Sequence, residues 1–282
     1  MLSKLKFILL LITALFIWSC GDKTKKISEI VEVDIEMQMS NAYKEGYLEL
    51  QRGDVLLAAA KFNEAELLFP QSPWAAKSVI MAAYAYYTQD YYNDSIYELE
   101  RYLKTYPNHG DKVYAHFLLG INFYEQIVDE KKDLRSILDA KKQFELIVKE
   151  YPTTEFATDA NFKLDLINQI LAGKEMYLAR YYLKKTKWIP ALNRFKKVIN
   201  DYNTTIYTEE ALHRLVEINY RLGLIDESKK YANTLGYNYQ SSEWYENSYK
   251  VFDKNYINGI EELQKNKIKK IKLIDKFKGL FE

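Results

Sequence analysis

Small and apolar positions recur along the chain with helical spacing, and polar turns separate them. At five places a small residue is followed, four positions later, by a second residue that is usually larger. Residues four apart share one face of an α-helix, so the small one lets a neighbouring helix approach and the larger one fills the gap beside it. Each pair therefore predicts a closely packed helix. The pairs are Ala58 and Phe62, Ser95 and Leu99, Ala140 and Phe144, Ala191 and Phe195, and Ser228 and Ala232.

A turn introduced by an aromatic residue follows each pair. The equivalent turn residue lies 12 positions after the small residue every time, and successive turns are 37, 45, 51 and 37 residues apart. A fixed period of this kind is typical of a repeat protein. The turn residues are Pro70, Pro107, Pro152, Asn203 and Gln240.

A third small residue precedes each of the first four pairs, at Gly46, Ala83, Gly120 and Ala179. The three features together resemble the tetratricopeptide repeat, in which two helices form each unit. We therefore predict an all-α protein, an α-solenoid of about five tetratricopeptide repeats. The 8 extra residues of the third repeat fit a loop near residues 129–133. The 14 extra residues of the fourth repeat fit one helix, residues 156–171, ended by Gly173.

A solenoid of this class leaves a concave groove lined by the first helix of each repeat. Tyrosine suits an extended peptide there, because it buries a large area while its hydroxyl can hydrogen-bond the peptide main chain. The alternative is that these tyrosines only pack between helices. The predicted groove residues are Tyr43, Tyr47, Gln51, Lys77, Tyr84 and Tyr87.

The N-terminus has the pattern of a targeting segment. Lys4 and Lys6 precede an apolar run at residues 7–17, which is shorter than a membrane span and ends just before Cys20. This arrangement resembles a bacterial lipobox. It implies a signal peptide at residues 1–19, a covalent lipid on Cys20 and no other cofactor, and we interpret residues 20–40 as a tether. An uncleaved N-terminal anchor with an incidental cysteine is the alternative.

Several segments, in order, resemble the BamD family, tetratricopeptide lipoproteins of the outer-membrane β-barrel assembly (BAM) machine. The similarity covers about residues 41–250 and is strongest to members from α-proteobacteria. The segments are Pro70-Gln71-Ser72-Pro73-Trp74, Ala82-Ala83-Tyr84-Ala85-Tyr86-Tyr87, Tyr151-Pro152-Thr153-Thr154-Glu155-Phe156, Asp159-Ala160-Asn161-Phe162-Lys163-Leu164, Arg180-Tyr181-Tyr182-Leu183-Lys184, Ala191-Leu192-Asn193-Arg194-Phe195 and Ser242-Glu243-Trp244-Tyr245.

This resemblance implies a non-enzymatic, lipid-anchored scaffold on the periplasmic face of the outer membrane. The family's C-terminal repeats dock on the barrel subunit BamA and its N-terminal repeats receive unfolded outer-membrane protein clients, beside other BAM subunits. Asn193 and Arg194 match the Asn-Arg pair in which the family carries an arginine that faces BamA. A guanidinium at this position suits a bidentate pair with a carboxylate of the partner. Another periplasmic tetratricopeptide lipoprotein, one that scaffolds cell-wall synthesis, is the alternative.

The composition argues against several other classes of protein. The formal net charge of +1 gives no electrostatic case for nucleic acid. With only 10 Gly and 5 Pro, turns are too sparse for an all-β protein. One cysteine and three separated histidines provide no recognisable metal site, and no catalytic motif occurs, so we expect neither a metal nor enzymatic activity.

The C-terminal segment departs from the family pattern. We place the solenoid at residues 41–252 and a basic amphipathic tail at residues 253–282. Residues 254–282 contain eight Lys and four acids, and apolar residues recur through them at roughly helical spacing. Such a segment can lie on anionic lipid, dock on a partner or form a frayed terminal helix.

Overall fold

The computed structural model describes residues 34–127 and 134–253, and these residues form eleven α-helices and no strand. The predicted signal peptide, Cys20, the loop near residues 129–133 and nearly all of the basic tail lie outside the described residues. The helices are α1 Ile35–Arg52, α2 Val55–Leu68, α3 Pro73–Tyr87, α4 Tyr92–Thr105, α5 Lys112–Glu125, α6 Arg135–Glu150, α7 Glu155–Lys184, α8 Trp188–Asp201, α9 Thr208–Arg221, α10 Ile225–Asn238 and α11 Glu243–Lys250.

The helices form five consecutive hairpins, from α1–α2 to α9–α10, and α11 takes the place of a further first helix. This confirms the predicted all-α solenoid of about five repeats. Its first helix begins at Ile35, inside the segment interpreted as a tether. Asp34 starts the helix there, because its carboxylate accepts a hydrogen bond from the Glu36 amide at 3.3 Å.

The small and large residues predicted from the spacing are the core of each hairpin. All ten members of the five pairs are buried. Glycine in the first helix allows the closest approach: a Cβ placed on Gly46 would lie 3.0 Å from the ring of Phe62. On Gly120 it would lie 2.8 Å from the ring of Phe144. The first and third hairpins therefore close where a glycine faces a phenylalanine ring.

Serine caps fix where some of the first helices begin. At α3 the Ser72 hydroxyl accepts a hydrogen bond from the Trp74 amide at 3.2 Å, and Pro73 occupies the first turn, where no amide donor is needed. Ser242 and Trp244 repeat the same bond, also at 3.2 Å, at α11. A cap of this kind stabilises a helix by about 1 kcal/mol. The Ser-x-Trp segments are therefore helix starts.

The prediction that Gly173 ends a helix is wrong. Helix α7 runs unbroken for 30 residues from Glu155 to Lys184, about 45 Å at 1.5 Å per residue. Glycine costs a helix about 1 kcal/mol relative to alanine, but packing compensates here. A Cβ on Gly173 would lie 3.1 Å from the hydroxyl oxygen of Tyr207, in the turn that leads into α9. The missing side chain thus makes room for the next repeat.

Helix α7 belongs to two repeats at once. Near its start, the Phe156 ring lies 5.4 Å from that of Phe117 on α5. In its second half, Glu175 binds α8 through Arg194, and Arg180 binds Glu210 on α9. The 14 extra residues therefore shift the last two repeats along α7 relative to the first three.

Replacing Gly120 with alanine tests the hairpin contact. The new Cβ would press on the ring of fully buried Phe144. Overpacking costs about 1–3 kcal/mol, which outweighs the helix-propensity gain of about 1 kcal/mol. We expect urea unfolding to show a loss of about 1 kcal/mol. Gly110→Ala is the control, since nothing lies within 4 Å of a Cβ there. A Gly120→Ala variant as stable as the wild type would contradict the assignment.

Candidate partner-binding surfaces

Tyr43 is half-buried and packs against aromatic rings of α2 and α3. Its ring lies 5.2 Å from that of Phe62 and 5.3 Å from that of Trp74, with T-shaped geometry in both cases. Burial, with a smaller contribution from nearby Tyr47, raises the pKa of its phenol. The structure therefore favours the packing alternative at this position, because the turn into the second repeat covers the side chain.

Four of the predicted groove residues are exposed on α1 and α3, namely Tyr47, Gln51, Lys77 and Tyr84. Lys77 lies over Trp74, with 5.2 Å between its ammonium nitrogen and the ring centroid, a cation–π geometry that orients the lysine. The exposed fraction is 48% for Tyr47 and 37% for Tyr84. These side chains remain available to a ligand.

Tyr87 connects the exposed tyrosines to a continuous aromatic surface. Its ring is half-buried, 6.4 Å from that of Tyr84. Beside this pair on α5 stands Tyr114, whose pKa burial raises to about 12, with additional contributions from Tyr84 and Tyr87. The Tyr114 ring lies 5.8 Å from that of Phe156. Tyr84, Tyr87, Tyr114 and Phe156, which we call the aromatic surface, therefore extend from α3 across α5 to α7.

Sequence reasoning missed Tyr114, although a signal was present. Lys77 precedes the small residue Ala83 by six positions, and Tyr114 precedes Gly120 by the same six. Extending the predicted groove position from the second repeat to the third would have identified it.

The corresponding side of the last two repeats is charged. Arg180 on α7 donates from Nε to Oε1 of Glu210 on α9 at 3.1 Å, and Arg214 donates to Glu217 at 2.6 Å. Burial alone would raise the pKa of Glu210, but the hydrogen bonds and charges of Arg180 and Arg214 lower it. The surface of the first helices thus changes from aromatic to ionic along the solenoid.

Arg194 has a carboxylate partner within its own chain. Its Nη1 donates to Oε2 of Glu175 at 2.9 Å, and Lys197 donates to Oε1 of the same carboxylate, also at 2.9 Å. Glu175 is buried, so the two cations neutralise it. The Arg194 side chain is still 38% exposed, and its neighbour Asn193 is exposed. The sequence did not reveal this pair, because its members are 19 residues apart on different helices.

A similar cluster joins the first two repeats. Arg101 on α4 binds buried Glu66 on α2 at 2.7 Å and buried Glu98 on its own helix at 2.8 Å. Tyr106 adds a hydrogen bond to Glu66 at 2.8 Å. Buried carboxylates held by arginine therefore recur along the solenoid as structural links.

His213 connects α9 to the terminal helix α11. Its Nδ1 lies 2.9 Å from the Ser248 hydroxyl, and its ring lies 5.2 Å from that of Trp244. Burial lowers the pKa of His213, although Glu217, 3.7 Å from its Nε2, acts in the opposite direction. The imidazole is therefore held neutral in the fold.

The described residues contain no group of three or more His, Cys, Asp or Glu placed to hold a metal ion. Likewise, no helix among them is both long enough and apolar enough to cross a membrane.

The hairpin repeats define a tetratricopeptide-type α-solenoid whose first repeats carry exposed and half-buried aromatic side chains. A family model described as outer membrane lipoprotein, YfiO, matches residues 35–235. The chain is 38% identical over 236 residues to outer membrane protein assembly factor BamD of Caulobacter vibrioides, covering 84% of this chain and 76% of the relative. With BamD of Rickettsia prowazekii it shares 37% identity over 249 residues, covering 88% and 96%. The chain belongs to this BamD (YfiO) family.

Solved structures that resemble the chain include a tetratricopeptide repeat protein from Parabacteroides merdae. It is 14% identical, with a TM-score of 0.38, over 81% of this chain and 80% of that one.

The neutral state of His213 predicts a pH dependence of stability. Because its folded pKa lies below the ordinary value of 6.5, the unfolded chain takes up the proton first as pH falls below about 6.5, and stability is lost there. Thermal melting between pH 7.5 and 5 should show a smaller loss for His213→Gln than for the wild type. Equal losses in both proteins would show that His213 does not contribute.

Proposed function

We propose that the chain is a lipid-anchored assembly factor on the periplasmic face of the outer membrane, where it binds a BamA-like barrel protein and receives unfolded outer-membrane protein clients. The observation that carries the proposal is the 37–38% identity to proteins named outer membrane protein assembly factor BamD over most of the chain. This similarity favours the assembly role over the scaffolding of cell-wall synthesis, and other BAM subunits are expected beside it.

The exposed side chains of the first repeats support the client-binding role. Tyr47, Gln51, Lys77 and Tyr84 present hydroxyl, amide and ammonium groups beside rings. An extended peptide needs partners for its main-chain groups and apolar area for alternate side chains, and tyrosine supplies both. The aromatic surface extends this area beyond the four residues, so a client segment can lie along several repeats. Binding and release of such a segment require no catalytic group, in keeping with a non-enzymatic scaffold.

The charged residues of the last two repeats support docking on a folded partner. Arg194 uses only Nη1 in its hydrogen bond to Glu175, and a guanidinium has five N–H donors. The donors that remain, together with the amide of exposed Asn193, can receive a carboxylate from the barrel protein. Glu175 fixes the direction of the guanidinium, which lowers the entropy cost of docking.

Arg194→Glu tests this docking site. The variant places a carboxylate against Glu175 and against the partner's carboxylate, so recovery of the barrel protein in co-purification should fall at least tenfold. Lys197→Glu is the matched control, since it makes the same charge change and removes the other cation of Glu175. Equal losses in both variants would indicate that the charge change disrupts the repeat itself. Arg194 would then not be part of the interface.

Cys20→Ser tests the lipid anchor. Without the thiol, no acyl chain can be attached, and the protein should leave the membrane fraction after a high-salt wash that breaks electrostatic contacts. Ser19→Ala, which keeps the thiol, should stay in the membrane. A Cys20→Ser protein that remains fully in the washed membranes would contradict the anchor.

A further inference from the structure

We propose that one edge of the fourth and fifth repeats rests on an anionic phospholipid surface. This basic edge consists of Lys184, Lys185, Lys187, Ile189, Arg221 and Leu224, from the α7–α8 and α9–α10 turns. It is separate from the aromatic surface and from Arg194, and the proposal does not depend on the lipid at Cys20.

The α7–α8 turn combines positive charge with apolar side chains. Lys184, Lys185 and Lys187 are all exposed, and none of them forms an ion pair with a described residue. Ile189 follows in the first turn of α8 with 58% of its side chain exposed. No acidic residue occurs between Lys184 and Ile189. Unpaired cations beside an exposed aliphatic residue are what an anionic membrane surface attracts.

The α9–α10 turn extends the same surface. The Arg221 guanidinium lies over the ring of Trp188, 5.2 Å from its centroid, and so joins the two turns. Leu224 is 49% exposed beside it. Asp226 and Glu227 follow in α10, but Lys229 and Lys230 offset their charge. The two turns together carry an excess of positive charge.

The other described turns between the two helices of a repeat lack this character. The α1–α2 turn contains Asp54 beside exposed Leu56 and Leu57 at the start of α2, and the α3–α4 turn contains Asp90. Carboxylates next to the apolar side chains would be repelled by an anionic membrane. Among the turns within repeats that the structure describes in full, only the α7–α8 turn combines an exposed apolar residue with several lysines and no carboxylate.

The chain leaves the described structure at this same edge. The Phe252 ring packs on Tyr220 at 5.5 Å, one residue before Arg221. The next 29 residues, 254–282, carry eight Lys against four acids and apolar residues at roughly helical spacing. Two basic turns thus lie beside the point from which a basic amphipathic sequence continues, and each lysine of the turns can keep its ammonium among headgroups while its stem contacts acyl chains. This arrangement favours lipid over a folded protein as the occupant.

Vesicle flotation tests the proposal with a chain that starts at Gly21. This chain keeps all eleven helices and the C-terminal segment but lacks the apolar run at residues 7–17, whose own lipid affinity would obscure the result. We expect flotation with vesicles of phosphatidylcholine containing 30% phosphatidylglycerol and none with pure phosphatidylcholine. Binding should be lost in 0.5 M salt, where charge attraction is screened.

Charge reversal then locates the surface. Lys184→Glu/Lys185→Glu/Lys187→Glu should lower partitioning into the anionic vesicles at least tenfold. The control reverses three exposed lysines of the first three repeats, Lys44, Lys104 and Lys149, and should bind nearly as well as the wild type. Circular dichroism melting verifies that each variant is folded, and Ile189→Ser, a milder change, should reduce partitioning by a smaller factor.

Three results would overturn the proposal. The first is an equal loss of vesicle binding in the control variant, which would show that binding depends only on net charge. The second is wild-type binding by the Lys184/Lys185/Lys187 variant together with none by a chain ending at Asp253, which would assign binding to the tail alone. The third is the absence of any flotation by the wild type.

Discussion

The close approach of two helices in each repeat is the contact on which the whole structure depends. A second-helix side chain such as Phe62 or Phe144 can be buried only because the first helix carries glycine opposite it. Each hairpin is too small to bury an apolar core alone, and stacking completes the core in a solenoid. Stacking then places the first helices of successive hairpins side by side, and these helices carry the predicted groove residues.

The length of α7 divides the solenoid into two chemically different halves. Because one helix serves two successive repeats, the aromatic surface ends on its first half at Phe156, and the ionic contacts of Glu175 and Arg180 begin on its second half. Under the proposed function, peptide clients and a folded partner need different chemistry, and the shared helix keeps the two surfaces apart. The basic edge lies beyond the second half, where α7 ends at Lys184.

The sequence predicted the contacts that recur in successive repeats. It did not predict the contacts between residues that are far apart in the chain. Repeat spacing identified the hairpins and their buried pairs because the same local contact is made each time. The prediction at Gly173 was wrong because it used helix propensity, which disfavours glycine. In the structure Tyr207, 34 residues later in the sequence, packs where a side chain at position 173 would lie. The covering of Tyr43 by Trp74 and the pairing of Arg194 with Glu175 are contacts between helices, and no local pattern marks them. Residue type alone therefore proposed the groove without showing which of its members are open.

The most direct measurement of the central claim, that this solenoid scaffolds barrel assembly, is affinity purification of the full-length protein from its native membranes in detergent. Mass spectrometry of what is recovered then identifies its partners. The proposed function predicts a BamA-like barrel protein in stoichiometric amount. Recovery of cell-wall enzymes without any barrel protein would contradict it, and the solenoid would then serve a different periplasmic assembly.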